Sequence, residues 1–127
     1  MAIELPTEIP VSDEISGFFG EQIQIRASHY NPKLGGVNCS NFVNGECVSH
    51  MANGEHWQDF IDYAIACPPS WNFGTQLIVN GKTWECKDRG GAIQIEDGIP
   101  WVDFLSLGIP FDGYRYGSIF DVILVNQ

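Results

Sequence analysis

Four consecutive residues, Asp88-Arg89-Gly90-Gly91, are the residues of this chain best suited to form a functional site. They place a carboxylate beside a guanidinium and follow both with two glycines, which allow another backbone or a ligand to approach closely. The alternative interpretation is a turn with a surface ion pair. Local sequence alone leaves both interpretations open.

The Asp88 group is positioned by a predicted β-hairpin. Asn80-Gly81 lies between two β-rich runs, residues 75–79 and 82–86. A type I′ turn needs positive φ at both central residues, and Asn-Gly is the pair that meets this requirement most readily. We therefore expect the second strand to deliver Asp88 at its end.

Other elements follow from hydrophobic periodicity and turn residues. Alternation predicts a half-buried strand over 23–30, and the apolar run near the C-terminus predicts a buried strand over 119–125. Residues 31–50 read as a long loop that needs a cysteine bridge. An amphipathic helix of about nine residues is predicted by the spacing i, i+3, i+4, i+7 of Trp57, Phe60, Ile61 and Ala64. A second short helix or helical turn is predicted over residues 101–107.

Composition limits the classes of protein to consider. The 127 residues are 44% hydrophobic and include 14 glycines and 7 prolines, which favours one β-dominated domain with many turns. The net charge of -10 argues against nucleic acid and anionic membranes as partners. No apolar run is long enough to insert in a membrane. Residues 1–22 read as an extended lead-in or linker stub, before a domain over 23–127.

Four cysteines suit two disulfides in an oxidising compartment. Cys39–Cys47 and Cys67–Cys86 is the preferred pairing of three, because each pair brackets a short loop. A zinc site built from Cys39, Cys47 and His50 is the alternative. We expect no cofactor and no catalytic metal.

Five short motifs occur in order along the chain: Ala27-Ser28-His29-Tyr30, the segment 51–57, Phe73-Gly74-Thr75, Asp88-Arg89-Gly90-Gly91 and the segment 101–105. Taken together, they resemble the double-psi β-barrels of rare lipoprotein A and of the three-aspartate (3D) family, relatives of the barrel of membrane-bound lytic transglycosylase A. The resemblance covers about residues 27–126 and implies a mainly β, six-stranded double-psi barrel with one or two short helices.

The chain also departs from these families. Met51 stands where they have threonine, and Cys67 falls on the first of the three aspartates. The gap between Asp88 and Asp103 is longer than in the family, and residues 31–50 look like an insertion.

The resemblance implies cleavage of peptidoglycan glycan strands in the manner of a lytic transglycosylase. Asp103 is the candidate general acid/base, since its apolar neighbours 101–102 and 104–105 can raise a carboxyl pKa by desolvation. Asp88 is the candidate for stabilising the transition state. The candidate substrate-binding residues are Tyr30, Trp71, Arg89, Trp101 and His29.

A second class of function remains open from the sequence. The domain can instead be a non-catalytic glycan-binding or structural barrel, as in expansin-like barrels, or one module of a larger polypeptide or phage virion assembly. In either class the expected partner is peptidoglycan or a related β-1,4-glycan. The expected location is extracellular, in the cell envelope or on a virion.

Overall fold

The computed structural model describes residues 20–125, and nine β-strands account for most of its regular structure. The predicted lead-in over 1–22 therefore lies almost wholly outside the described residues. The strands are β1 (Glu21–Tyr30), β2 (Phe42–Val43), β3 (Glu46–Cys47), β4 (Ala64–Ala66), β5 (Gln76–Val79), β6 (Lys82–Asp88), β7 (Ile95–Glu96), β8 (Ile99–Leu105) and β9 (Ile119–Val125).

Six of these strands form a closed mixed barrel in the order β1-β9-β5-β6-β4-β8, with β8 pairing back onto β1. The β1–β8 and β4–β6 pairs are parallel and the other pairs are antiparallel. Closure gives every barrel strand two neighbours and so removes the unpaired edges that an open sheet exposes. The mainly β barrel expected from the sequence is confirmed at this level.

Side chains alternate between the barrel interior and its outer face, as the period of two in a strand requires. Ile25 and Ala27 of β1 are fully buried in the interior, as the predicted alternation over 23–30 indicated. They pack in the same cluster as Trp84 of β6 and Phe104 of β8. The Trp84 and Phe104 rings meet edge to face with centroids 4.9 Å apart.

The predicted hairpin is confirmed. Asn80 and Gly81 have φ of 51° and 81°, and Val79 pairs with Lys82 across the turn between β5 and β6. Asp88 is the last residue of β6, where the prediction placed it.

The predicted nine-residue helix beginning near Trp57 is wrong. A single 3₁₀ turn over Trp57–Phe60 is present, and the chain then enters β4 at Ala64. Asp62 adopts φ of 62° between the two, a left-handed conformation that a helix cannot contain. Trp57 is buried because it packs on the outer face of the barrel, and Ala64 is buried because it enters the sheet, whereas Phe60 and Ile61 are only partly buried.

The predicted helix over 101–107 is also wrong, because β8 occupies Ile99–Leu105. The signal that sequence reasoning missed is Asp97-Gly98, whose φ values of 53° and 78° make a tight hairpin between β7 and β8. Within β8, Phe104 faces the barrel interior and Leu105 the outer face, so their burial reflects strand alternation.

Residues 31–63, here called the outer segment, cover part of the outer face of the barrel. The segment contains 3₁₀ turns at Pro32–Leu34 and Gly36–Asn38 and the two-residue strands β2 and β3. Cys47, Met51 and Trp57 form a second small core with Leu105 and Ala64 of the barrel. The outer segment is thus a layer added to the barrel from one side.

Both predicted disulfides are present. Cys39 is bonded to Cys47 and Cys67 to Cys86, with Cα–Cα distances of 5.9 and 5.8 Å. The zinc alternative is wrong, since the two thiol ligands it needs are bonded to each other. Between residues 20 and 125, no helix has the length and apolar character needed to cross a bilayer.

Candidate functional site

A groove runs along the outer face of the barrel between β1, β8 and the outer segment. It consists of two adjoining cavities with volumes of about 380 and 590 Å³. Asp103 and Tyr30 line both cavities, whereas Asp88 and Arg89 line the smaller one. Both predicted catalytic residues, Asp88 and Asp103, therefore share one groove.

Asp103 lies in β8, with Ser28 of β1 directly opposite it in the parallel pair. Ser28 Oγ donates a hydrogen bond of 2.9 Å to Asp103 Oδ1. Burial raises the pKa of Asp103 to about 6, with a smaller upward effect from the Asp88 charge, while the Ser28 hydrogen bond acts to lower it. At a pH near 6, Asp103 is therefore present in both its protonated and its ionised form.

Desolvation raises the pKa of Asp103, as the sequence suggested, but two of the apolar neighbours expected to cause it lie on the opposite face of the sheet. Val102 and Phe104 flank Asp103 in sequence, but both belong to the barrel core on the other side of the sheet. Asp103 and Trp101 project from the outer face, into the groove. Of the apolar neighbours along the chain, Val102 and Phe104 therefore face the barrel core, whereas Trp101 shares the groove with Asp103.

Asp88 is held at the end of β6 by three donors. Tyr30 Oη donates to Asp88 Oδ2 at 2.8 Å, and the backbone amides of Ala52 and Arg89 donate to Oδ1 at 2.9 and 2.8 Å. Ala66 of β4 is in register with Asp88 on one side and with Asp103 on the other. One strand therefore separates the two carboxylates, and the outer segment contributes directly to fixing Asp88.

Arg89 lines the groove, but its guanidinium makes its hydrogen bonds to other groups of the protein. Nη1 donates to the sulfurs of Cys67 and Cys86 at 2.7 and 3.0 Å, and Nη2 donates to the Trp71 carbonyl at 2.6 Å. The guanidinium also lies 4.1 Å from the centroid of the Phe73 ring. The Arg89 side chain therefore links the Cys67–Cys86 bridge to the loop that contains Trp71 and Phe73.

The remaining candidate binding residues divide into two groups. Trp101 and His29 line the larger cavity, where the Trp101 ring lies 6.1 Å from that of Tyr116 and His29 Nδ1 is 2.8 Å from Tyr114 Oη. Trp71 lines neither cavity of the groove and packs against the barrel core. The structure thus brings Trp101, His29 and Tyr30 together and leaves Trp71 elsewhere.

Sequence reasoning missed several groove residues. Ser28 stood within the Ala-Ser-x-Tyr motif, so a signal for it existed. Val37, Asn38 and Gly91 line both cavities, and Tyr116 lines the larger one. Val37, Asn38 and Tyr116 had no individual signal, since only the closed barrel brings their segments together. Gly91 was already part of the Asp88-Arg89-Gly90-Gly91 motif.

Among residues 20–125, no three His, Cys, Asp or Glu side chains are grouped so that they could hold a metal ion. Comparisons of the chain with protein-family models, with curated proteins and with solved structures give no match.

Proposed function

We propose that this protein is a double-psi β-barrel of the rare lipoprotein A and 3D type that cleaves the glycan strands of peptidoglycan. The observation that carries the proposal is the environment of Asp103. It is a carboxyl group with a pKa of about 6 that lies in an open groove with a second carboxylate, Asp88, nearby. Such a group can both give and take a proton near neutral pH.

The proposed reaction is that of a lytic transglycosylase. Protonated Asp103 donates its proton to the glycosidic oxygen, the bond from that oxygen to C1 breaks, and positive charge develops on the sugar ring. The Asp103 carboxylate then accepts the proton of the muramyl 6-hydroxyl, whose oxygen bonds to C1. The product carries a 1,6-anhydro end, and water does not enter the reaction.

Asp88 is proposed to stabilise the positive charge that develops on the sugar. Its three donors hold the carboxylate in one orientation, and a charge fixed before the reaction avoids the cost of reorganisation during it. Tyr30 and Trp101 are proposed to contact the sugar, because both line the groove. Two disulfides and a net charge of -10 support an extracellular or cell-envelope location, or one on a virion.

A non-catalytic barrel that binds glycan, or that serves a surface or virion assembly, is the second candidate. It is favoured by the Cys67–Cys86 bridge, which occupies the first aspartate position of the resembling family. It is also favoured by Arg89, whose guanidinium is bonded to that bridge and to the Trp71 carbonyl.

The test is incubation of purified peptidoglycan with the native protein and with Asp103→Asn, followed by mass detection of 1,6-anhydromuramyl ends. Loss of a positioned proton donor removes about 100- to 10,000-fold of rate, so the variant should release almost nothing while still sedimenting with sacculi. Because only protonated Asp103 can donate, the native rate should fall as pH rises through about 6.

The possible results test the assignment of Asp103 as the acid and separate the enzyme from the binding module. Release of anhydro products by the native protein with unchanged release by Asp103→Asn contradicts the assignment of the acid. Sedimentation with sacculi without any release by the native protein supports the binding module. A native protein that neither binds nor cleaves leaves the assembly role.

A further inference from the structure

The two cavities of the groove meet at one place. The residues that line both are Tyr30, Val37, Asn38, Gly90, Gly91 and Asp103. Val37 and Asn38 belong to the outer segment, whereas Gly90 and Gly91 follow β6. The junction, which contains Asp103, is therefore built from two loops that are far apart in sequence and from the barrel surface.

Gly91 has no structural reason to be glycine. Its φ lies outside the positive range that favours glycine, and a Cβ built on it would meet no atom within 4 Å. Gly90 beside it differs, because a Cβ there would come within 2.9 Å of Ile93. At position 91, then, a Cβ would meet no steric conflict, and the residue lies where the two cavities adjoin.

Val37 is fully exposed, although the turn that carries it is fixed by hydrogen bonds and lies next to a disulfide. Its side chain has 104% relative exposure. The 3₁₀ turn that carries it is fixed by hydrogen bonds from Asn38 Nδ2 to the Gly35 carbonyl and from the Asn31 amide to Asn38 Oδ1. The Cys39–Cys47 bridge follows directly. An apolar side chain held in this way, with no use inside the fold, is a preorganised contact for a ligand.

We propose that Gly91 and Val37 determine ligand specificity where the two cavities meet. The space left by Gly91 lets one unbranched chain of β-1,4-linked N-acetylhexosamine units pass over Asp103 and occupy both cavities at once. The ligand is then an internal segment of a glycan and not a chain end. This inference rests on the proposed glycan-directed function.

The two cavities offer different contacts to such a chain. In the larger one, Trp101 and Tyr116 present aromatic surface, on which the apolar faces of sugar rings can stack. In the smaller one, Ser40 and Ser49 offer polar side chains to hydroxyl and acetamido groups. Each cavity alone can accept a short saccharide, and only a longer one joins them.

The experiment measures the affinity of chitobiose and chitohexaose, both β-1,4-linked N-acetylglucosamine, for proteins that carry Asp103→Asn to prevent turnover. In that background Gly91→Leu is compared with Gly108→Leu. Gly108 also has no positive φ and no atom within 4 Å of a built Cβ, but it lines neither cavity. Val37→Asn is compared in the same way with Leu34→Asn, at a residue that is 72% exposed and lines neither cavity.

Gly91→Leu should weaken chitohexaose binding by about tenfold or more, because it places a large side chain where the two cavities adjoin. It should weaken chitobiose binding much less and leave the melting temperature unchanged. Val37→Asn should weaken chitohexaose binding less strongly, and both control variants should match the parent.

The inference is overturned if Gly91→Leu binds chitohexaose as the parent does, or if chitobiose binding falls to the same extent. No binding of chitohexaose by the parent also overturns it, whether or not peptidoglycan is cleaved. Since this assay measures binding and not release of anhydro products, its result is separate from the test of the acid.

Discussion

The barrel and the outer segment are stabilised by different interactions. Every barrel strand has two hydrogen-bonded neighbours, and large side chains such as Trp84 and Phe104 are fully buried between them. The outer segment has strands of only two residues and leaves Phe42 and Val43 more than a third exposed. A disulfide and a small core shared with the barrel hold it in place.

The groove lies where the barrel and the outer segment meet, and each region contributes residues to it. The barrel contributes Asp103 and Asp88 from strands whose positions are fixed by closure. The outer segment contributes a wall at Val37 and Asn38 and the Ala52 amide that binds Asp88. The barrel thus supplies the two carboxylates of the groove, and the outer segment supplies part of its wall and one hydrogen-bond donor to Asp88.

The largest difference between the regions is expected for a pair of phenylalanines. Phe104→Ala should lower the free energy of unfolding by about 3–5 kcal/mol, since it leaves a cavity in the barrel core. Phe42→Ala should lower it by less than about 1 kcal/mol, because Phe42 is 41% exposed. Urea denaturation followed by tryptophan fluorescence measures both, and equal losses would contradict the division into two regions.

The disulfide of the outer segment provides the next test. The double variant Cys39→Ser/Cys47→Ser should lose about 2–3 kcal/mol of stability, and the loss should be confined to the outer segment. Amide hydrogen exchange should then speed up over residues 31–50 while β1 and β8 keep their protection. Cys67→Ser/Cys86→Ser, within the barrel core, is the matched comparison and should reduce protection in the barrel strands. Loss of β1 protection on removal of Cys39–Cys47 would show that the barrel depends on the outer segment.

The smallest effects are expected at two hairpin turns with the same backbone geometry. Asn80-Gly81 and Asn44-Gly45 both adopt positive φ, at 51° and 81° and at 53° and 80°. Replacing either pair with Ala-Ala imposes a left-handed conformation that costs on the order of 1 kcal/mol per residue. The melting temperature should fall after the change at 80–81, between two barrel strands, and should change less after the change at 44–45. The opposite order would mean that the outer segment limits the stability of the whole domain.

Elements whose conformation depends on their own local residues could be predicted from the sequence. The Asn80-Gly81 turn and the alternation of β1 were both expected and are present. Both disulfides were the preferred pairing. Strand 101–105 was misread as helical because Trp101, Phe104 and Leu105 fit either period over so few residues.

The sequence by itself determined that this chain forms a β domain with two bridges and that Asp88 follows a hairpin, because turn geometry and strand alternation are local properties. Only the tertiary structure decided that Ser28 meets Asp103, that Ala66 lies between the two aspartates, and that Val37 and Gly91 line the same passage. These residues are separated by up to 75 positions in the chain. Their meeting depends on the register of strands across the closed barrel, which no short stretch of sequence encodes.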